Sequence, residues 1–343
     1  MTRERPAGPV RVGVIGCGRI AQEHLQSHKN LPEAELIAVA DPIADLASDV
    51  ATQYQCKAYS DYREMLASGS VEAVSVCTPP VTHASIMLDA IGRGVHVLCE
   101  KPLTIQLSDA EKVLLAVQKS DVILMMASKF RFVDDVVKAK GLIEGGVIGR
   151  PVFFENAFCS RVDMRGRWNA VKAIAGGGVL FDNATHSVDI ARFLMGPIAS
   201  VQAEHGIRAQ DIEVEDTSRL CFHSAGGVLG TVDVSWSVNK EQDAYISVHG
   251  TEGTLTIGWK ESRYRLHASP DWVQFGHGYS KKAAFLNQIG HFLRCVRREE
   301  APLITPLDGL ESVRVIEAAY RSSTLNGAWM NLEPLDLQVL GVG

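Results

Sequence analysis

The sequence predicts an α/β protein with two domains, the first built on a parallel sheet and the second on a large, mainly antiparallel sheet. Three observations carry this prediction. The chain has 343 residues, which is more than one compact core usually holds. Residues 1–126 alternate short β-branched runs with helical patterns, whereas residues 127–335 contain long stretches of alternating polarity. This change of period alone places the domain boundary.

Composition and charge exclude several classes of protein. The chain is 46% hydrophobic and 22% charged, as is usual for globular domains. A net charge of −6 argues against a nucleic-acid-binding surface. There is no apolar run long enough to span a bilayer, and the N-terminus lacks the apolar core of a secretory signal, so we expect a cytoplasmic protein without a membrane partner. The seven cysteines are scattered without a C-x-x-C pair, which argues against a disulfide framework or a metal site.

The first domain is predicted from five apolar runs separated by amphipathic stretches. The runs are VRVGVI, ELIAVA, EAVSVC, VHVLC and VILMM, and the intervening stretches, such as LSDAEKVLLAVQKS, carry apolar residues at helical spacing. Strands that alternate with helices in this way form βαβ units, in which helices cover both faces of a parallel sheet.

The second domain is predicted from alternating stretches and four helical patterns, the first of which is VDDVVKAKGLIEGG. The strands are PVFFENAFCSRV, SVQAEHGIRA, TSRLCFHS, GVLGTVDVSWSV and AYISVHG. A helix lies within GGGVLFDNATHSVDIARFLMG, and another within AAFLNQIGHFLRCVRR. The last helix, near 306–326, begins at Asp308 or a neighbour, ends near Gly327, and is a candidate to pack back on the first domain. The final ten or so residues predict a tail or one more strand.

A dinucleotide-binding motif joins the first strand to the first helix. It reads Gly16-x-Gly18-x-x-Ala21, in which the first glycine permits a tight turn and the second lets a pyrophosphate approach the backbone. Ala21 allows close packing of helix on strand, and free amides at the helix start face the phosphates. Arg19 and Ile20 lie inside the motif and are predicted to contact the cofactor.

Three further positions follow strands of the same sheet, where ligands bind in such folds. Asp41 ends the second strand and is placed to accept the ribose hydroxyls; its charge repels a 2′-phosphate, which favours NAD over NADP. The competing interpretation is a turn residue before Pro42. Thr78 and Pro79 follow the third run and are predicted to contact the cofactor. His83 is either a further cofactor contact or a helix-start histidine that is satisfied locally.

The ordered set of motifs resembles the Gfo/Idh/MocA oxidoreductases over roughly residues 9–330. The motifs are GVIGCGRIA, VADP, VCTPPVTHA, CEKPL, KFRF with KGLIEGGVIG, and GGGVLFDNATHSVDIARFLMG. The resemblance implies a Rossmann domain followed by an α/β domain with an open mixed sheet. It also implies NAD or NADP as cofactor, a carbohydrate, cyclitol or nucleotide sugar as substrate, and a homodimer or homotetramer.

The same resemblance implies three catalytic residues, which are also predicted to bind substrate, and the first of them, Lys101, is predicted to contact the cofactor as well. The active-site lysine of the family falls on Lys101, and its Asp-x-x-x-His pair falls on Asp182 and His186. Ala184 stands between the pair where glycine is common. A spacing of four places both side chains on one helix face. We expect His186 to accept the proton of a hydroxyl group, Lys101 to polarise the oxygen, and Asp182 to hold a hydroxyl or orient the histidine. A helix cap and a polar helix residue are the alternative for the pair.

The segment Glu100-Lys101-Pro102 ends an apolar strand. Pro102, through a cis bond, is expected to fix the backbone so that Lys101 points into the site. Glu100 is expected either to contact the cofactor or to hold the surroundings of the lysine.

Arginines in two segments are candidates for substrate binding. Arg131 in KFRF begins the second domain, and SRVDMRGRW brings Arg161, Arg165 and Arg167 together with Trp168. Guanidinium groups bind carboxylates and phosphates, and of these residues Arg131, Arg161 and Trp168 are predicted to bind substrate. A solvated basic loop or a subunit contact is the competing interpretation.

The sequence favours an oxidoreductase that transfers a hydride between a secondary carbinol and a nicotinamide cofactor. The first alternative is an NAD-dependent glycosidase or lyase in which oxidation is transient. The second is a dinucleotide-binding sugar sensor, which is expected to have lost Lys101 or His186. The chain retains both residues.

Overall fold

The computed structural model describes residues 8–335 and divides them into two compact units. The first unit contains residues 8–129 and Lys281–Leu310, and the second contains Phe130–Ser280 and Glu311–Leu335. Residues 281–310, which the change of sequence period assigns to the second domain, therefore lie in the first unit. The predicted tail falls partly on residues 336–343, outside the described range.

The first unit contains a parallel sheet of six strands in the order β3-β2-β1-β4-β5-β6. Strands β4 and β6 are buried at every position, as expected for a sheet covered on both faces. This order is that of the doubly wound dinucleotide-binding fold, and it confirms the predicted Rossmann domain. The strands are β1 (Val10–Ile15), β2 (Ala34–Ala40), β3 (Lys57–Tyr59), β4 (Ala73–Val76), β5 (His96–Glu100) and β6 (Leu124–Ala127).

Helices follow the strands of this unit in alternation, and a later helix joins them. They are α1 (Ala21–Asn30), α2 (Ala44–Tyr54), α3 (Tyr62–Ala67), α4 (His83–Ile91), α5 (Leu107–Gln118) and, after the second unit has been traversed, α9 (Lys281–Val296). Helix α9 packs on α1, where Phe285 meets the ring of His24 edge-on with 5.5 Å between centroids. This packing explains why α9 belongs to the first unit, and nothing local in its sequence indicates that partner.

The second unit contains a sheet of nine strands in the order β14-β13-β12-β11-β7-β10-β9-β8-β15. Only the central pair β7 and β10 is parallel and all other pairs are antiparallel within the described residues, which confirms the predicted mixed, largely antiparallel sheet. The strands are β7 (Pro151–Cys159), β8 (Ile198–His205), β9 (Thr217–Ser224), β10 (Leu229–Ser235), β11 (Ala244–Gly250), β12 (Gly253–Gly258), β13 (Ser262–Leu266), β14 (Val273–Gly276) and β15 (Met330–Asn331).

Helices of the second unit lie near its beginning and its end. They are α6 (Asp134–Glu144), α7 (Lys172–Ala175), α8 (Val179–Met195) and α10 (Pro306–Thr324), whose first turn belongs to the first unit. Thr305 precedes helix α10, and its backbone N–H and hydroxyl both donate to Asp308 Oδ2 in the first turn. Gly327 follows its end with a φ of +75°, close to the predicted stop.

No helix among residues 8–335 is long and apolar enough to cross a membrane. All seven cysteines are free thiols. Burial, followed by nearby charges such as Glu100, raises the pKa of Cys77 and Cys99 well above the ordinary thiol value, which is consistent with the packing role predicted for cysteines. The cytoplasmic location stays a prediction.

Candidate functional site

The glycine loop lies between β1 and α1 and has the geometry that a pyrophosphate requires. Gly16 adopts a φ of +91°, and a Cβ there would lie 2.7 Å from the carbonyl oxygen of Cys77. Gly18 is exposed and has no atom within 4 Å of the position of a Cβ. Any side chain at Gly16 is therefore excluded, while Gly18 leaves an open approach to the backbone.

Helix α1 begins immediately after this loop without a side-chain cap. The residue before it, Ile20, makes no capping hydrogen bond, so its first amides are available to an anion. Arg19 is exposed and Ile20 is half-buried. Ala21 is fully buried in the core beneath β1, as close helix packing requires.

Asp41 follows β2 and holds the glycine loop in place. Its Oδ2 accepts the N–H of Cys17 at 2.8 Å, and its Oδ1 accepts the N–H of Ile43 at 2.9 Å. Each carboxylate oxygen can accept more than one hydrogen bond, so these contacts leave capacity for a ribose hydroxyl. The turn interpretation and the nucleotide interpretation of Asp41 are both compatible with this geometry.

The segment after β4 is closed by local hydrogen bonds. The hydroxyl of Thr82 lies 2.8 Å from both Thr78 Oγ1 and the carbonyl oxygen of Pro79. His83 is fully buried, with Nε2 at 2.9 Å from the Thr78 carbonyl and Nδ1 at 2.8 Å from the Pro102 carbonyl. Both ring nitrogens of His83 are thus engaged by main-chain oxygens. This arrangement favours the locally satisfied histidine over a cofactor contact.

The segment after β5 contains the predicted lysine. The Lys101–Pro102 peptide bond is cis, as the sequence predicts. Glu100 is buried and Lys101 is half-buried. Glu100 Oε2 accepts the backbone N–H of Lys101 at 3.2 Å, and Oε1 accepts from His24 Nε2 at 3.0 Å. Glu100 therefore holds the surroundings of the lysine, the second of its two predicted roles. His24 was missed, because only its position in the first turn of α1 marks it.

Helix α8, which contains Asp182 and His186, is capped by a residue remote in sequence. Glu215 Oε1 accepts the N–H groups of Gly178 and Leu180 at 3.0 and 3.1 Å, and the hydroxyl of Tyr320 at 2.6 Å. A Cβ at Gly177 would overlap the Tyr320 hydroxyl, and one at Gly178 would overlap the carbonyl oxygen of Glu215. The glycine run is therefore required by close approach, and it fixes where α8 begins.

The two predicted catalytic residues of this unit lie one turn apart on α8. His186 is 8% exposed and meets the ring of Phe130 edge-on, with 5.1 Å between centroids. Asp182 is half-buried. Asn183 donates through Nδ2 to the carbonyl of Phe158 at 3.2 Å, and Ala184 is fully buried, so the departure from glycine is accommodated inside the helix.

An aromatic cluster surrounds Phe130 and was missed by sequence reasoning. Phe130 stacks on Phe158 and Tyr279 with centroid distances of 4.8 and 5.3 Å, and Tyr245 stacks on Phe158 at 5.8 Å. Trp259 lies 4.5 Å from Tyr245. These rings come from segments that are far apart along the chain, so no local pattern predicts the cluster.

The geometry of Arg131 favours a structural role over the predicted contact with substrate. Its Nε and Nη2 donate to the two carboxylate oxygens of Asp189 at 2.9 and 2.7 Å, and both side chains are buried. A guanidinium in a bidentate pair inside the core is committed to the packing of α8. The buried pair supports a structural role for Arg131 in the second unit.

Arg161 and Trp168 lie in the loop that follows β7. Arg161 is exposed, and Trp168 lines an open cavity of about 480 Å³ together with Arg165, Arg167, Val171 and Asp211. Arg165 is itself paired with Asp163 at 2.8 Å. Within the described residues there is no group of three or more side chains arranged to hold a metal ion.

Comparison with known proteins places the chain among oxidoreductases. A model described as an oxidoreductase family with NAD-binding Rossmann fold matches residues 10–128, and a model of the GFO/IDH/MocA C-terminal domain matches residues 136–256. The scyllo-inositol 2-dehydrogenase (NAD(+)) of Bacillus subtilis is 28% identical and covers 91% of this chain and 94% of its own length. The myo-inositol 2-dehydrogenase of Thermotoga maritima is also 28% identical, over 91% of this chain and 96% of its own.

A solved structure shows the same fold. Levoglucosan dehydrogenase in complex with NADH superposes with a TM-score of 0.89 at 22% identity, covering 95% of this chain and all of that one. With both family models matched in order along the chain, and with the sheet order and glycine loop described above, the protein belongs to the Gfo/Idh/MocA oxidoreductase family.

Proposed function

We propose that the chain is an NAD-dependent dehydrogenase that oxidises a secondary carbinol of a sugar or cyclitol. The observation that carries the proposal is the nucleotide loop, with Gly16 at positive φ, open space beside Gly18, and Asp41 bonded to the loop. The substrate class is supported by two inositol dehydrogenases, each of which aligns over 91% of the chain.

NAD supplies the acceptor for the hydride that leaves the alcohol carbon. The backbone at Gly18 and the uncapped amides of α1 are proposed to bind its pyrophosphate, and Asp41 to accept the ribose hydroxyls. Further contacts are assigned to Arg19, Ile20, Thr78 and Pro79. The open space beside Gly18 and the uncapped start of α1 fit the pyrophosphate of NAD.

Three residues are proposed to act on the substrate during its oxidation. His186 accepts the proton of the reacting hydroxyl, and Lys101 donates to the oxygen as negative charge develops on it. Asp182 holds a neighbouring hydroxyl or orients the histidine. The helix geometry supports the pairing of Asp182 with His186, since side chains four apart lie on one face.

The experiment is a screen of polyols, sugars, sugar acids and nucleotide sugars with NAD and with NADP, followed by the absorbance of the reduced nicotinamide. We expect NADH to accumulate with at least one polyol or sugar. Bond cleavage without net NADH identifies a glycosidase or lyase, and binding without turnover identifies a sensor. Equal rates for neutral and acidic substrates would remove Arg161 from the proposed substrate contacts and leave Trp168 as the candidate in that loop.

Replacing Asp41 by asparagine is expected to shift cofactor preference toward NADP. Loss of the carboxylate charge removes the repulsion of a 2′-phosphate. The ratio of kcat/KM with NADP to kcat/KM with NAD should therefore rise by about tenfold or more. The measurement is steady-state kinetics with both cofactors. Asp45→Asn, on the exposed first turn of α2, is the matched control because it removes the same charge a few residues away. An unchanged ratio in Asp41→Asn would contradict the assignment.

We also propose that the second unit forms a homodimer or homotetramer through its sheet. Phe153 and Leu229 are paired neighbours on β7 and β10 and are 49% and 44% exposed, and Trp329 stacks on His223 of β9 nearby in the sheet. An exposed apolar patch on a sheet is typical of a protein contact.

Light scattering is expected to give a mass of two or four times 37.3 kDa. Phe153→Glu is expected to lower this mass, because association would bury the new charge in the contact. Ile207→Glu, at a residue 94% exposed in a loop, is the control that should leave the mass unchanged. A monomeric wild-type protein would disprove this part of the proposal.

A further inference from the structure

Two fully buried histidines on different helices of the first unit contact the same short segment. His24 lies in the first turn of α1, and His83 is the first residue of α4. Each helix follows a loop that the proposed function assigns to the cofactor. The side chain of His24 reaches Glu100, and that of His83 bridges Thr78 of its own loop and Pro102. Neither histidine has a role in the proposed chemistry.

His24 acts on the residue before the lysine. Its Nε2 donates to Glu100 Oε1 at 3.0 Å, and the other carboxylate oxygen of Glu100 accepts the backbone N–H of Lys101 at 3.2 Å. The ring of Phe285 packs edge-on against the imidazole and fixes its plane. The carboxylate of Glu100 thus joins α1 to the main chain of Lys101.

His83 acts on the residue after the lysine. Its Nδ1 lies 2.8 Å from the carbonyl oxygen of Pro102, and its Nε2 lies 2.9 Å from that of Thr78. One imidazole therefore ties the residue that follows Lys101 to the segment after β4. Lys101 lies between two residues, each of which is held by a buried histidine.

The electrostatic surroundings keep the Glu100 carboxylate ionised. Burial acts to raise the pKa of Glu100, but the hydrogen bond and charge of His24, with the charges of Lys129 and Lys101, outweigh it and lower the pKa. The other titratable groups that face Glu100 are His83 and the thiols of Cys77 and Cys99. An ionised carboxylate is a stronger acceptor for the Lys101 N–H than a neutral one.

We infer that His24 and His83 are positioning residues that fix Lys101 relative to the two cofactor loops, by holding Glu100 on one side of the lysine and Pro102 on the other. The expected effect on turnover rests on the proposed function, in which Lys101 is catalytic. Its structural content, that these two histidines order residues 100–102, stands on the hydrogen bonds alone.

The kinetic test compares His24→Leu with His24→Gln. The leucine removes the donor, and the glutamine amide places a donor near the position of Nε2. We expect His24→Leu to lower kcat by about 10- to 100-fold, the effect of a catalytic group displaced by about 1 Å, with the Kd for NADH nearly unchanged and with most of kcat restored in His24→Gln. In His24→Leu, Glu100 loses the partner that lowers its pKa, so its carboxylate becomes protonated at a higher pH. The fall of kcat on the acid side of its pH profile should therefore move to higher pH.

His28→Gln is the matched control. His28 lies one turn further along α1, is equally buried, and bonds Ser75 Oγ through Nε2 at 2.9 Å, away from the lysine segment. Burial lowers the pKa of His28 to about 3, so the ring is neutral and structural. We expect this variant to lose stability without loss of kcat.

A readout independent of turnover is amide hydrogen exchange of residues 100–104. His24→Leu and His83→Leu are expected to raise exchange in this segment more than elsewhere in the first unit, and His28→Gln is expected to leave it unchanged. If the wild type turns over no substrate, the proposed function fails while the exchange experiment still decides the inference. Unchanged exchange in both leucine variants, or unchanged kcat in a folded His24→Leu, would overturn it. If the leucine variants do not fold, His24→Gln is measured instead. Fast exchange of the Lys101 segment in a folded His24→Gln would then overturn the inference.

Discussion

Replacing Lys101 by methionine is expected to lower kcat by about 10²- to 10³-fold, the usual effect of removing one donor to a developing oxyanion. Methionine replaces the apolar stem of the lysine up to Cε and lacks only the terminal amino group, so packing around the half-buried residue is largely preserved. The Kd for NADH should change by no more than about twofold, because the interaction is made mainly in the transition state. Steady-state kinetics and NADH fluorescence titration measure the two quantities.

Two further variants make this result specific. Lys112→Met removes the charge of an exposed lysine of the same unit, which pairs only at the surface with Asp109, and should leave kcat unchanged. His186→Asn should lower kcat by about 10²- to 10⁴-fold through loss of the proton acceptor, again with NADH binding retained. Turnover of Lys101→Met close to that of the wild type would refute the role of the lysine.

The parts of the fold that the sequence predicts are those with a local signal. Alternation of apolar runs and helices predicts the parallel sheet, and the strand-rich pattern after residue 127 predicts the mixed sheet. The glycine loop is predictable because positive φ and close approach at Gly16 demand a residue without a side chain. The helix that carries Asp182 and His186 is predictable from its period.

Features that depend on distant pairs were not predictable. His24 and Glu100 are separated by 76 positions, and Glu215 caps α8 from 37 positions beyond Gly178. The packing of α9 on α1 likewise joins Lys281–Val296 to Ala21–Asn30, segments far apart along the chain, and no local pattern reveals it. An arginine within a basic and aromatic segment is read from sequence as a ligand for an anionic substrate, because its ion-pair partner in the fold is not visible there. Arg131 has that pattern, yet its partner is a carboxylate 58 positions away.

Asp189→Ala is expected to destabilise the second unit strongly. It would leave the Arg131 guanidinium buried without its bidentate partner, which costs about 3–5 kcal/mol in comparable buried pairs. Urea unfolding followed by tryptophan fluorescence reports on this unit, because all five tryptophans lie in it. Asp163→Ala is the control, since its pair with Arg165 is exposed and screened by solvent, so its loss should leave the unfolding midpoint unchanged.

The double variant Arg131→Met with Asp189→Leu separates the value of the ion pair from the cost of breaking it. Apolar side chains of similar volume leave no buried charge, so the double variant should recover most of the stability that Asp189→Ala loses. Asp189 lies three residues after His186 on α8, so the pair also anchors the helix that carries the proposed proton acceptor. If the double variant is as stable as the wild type but has a lower kcat, Arg131 and Asp189 serve mainly to orient α8. If kcat and stability both recover, apolar side chains can replace the ion pair. The charge of Arg131, on which the predicted substrate contact was based, then has no part in catalysis.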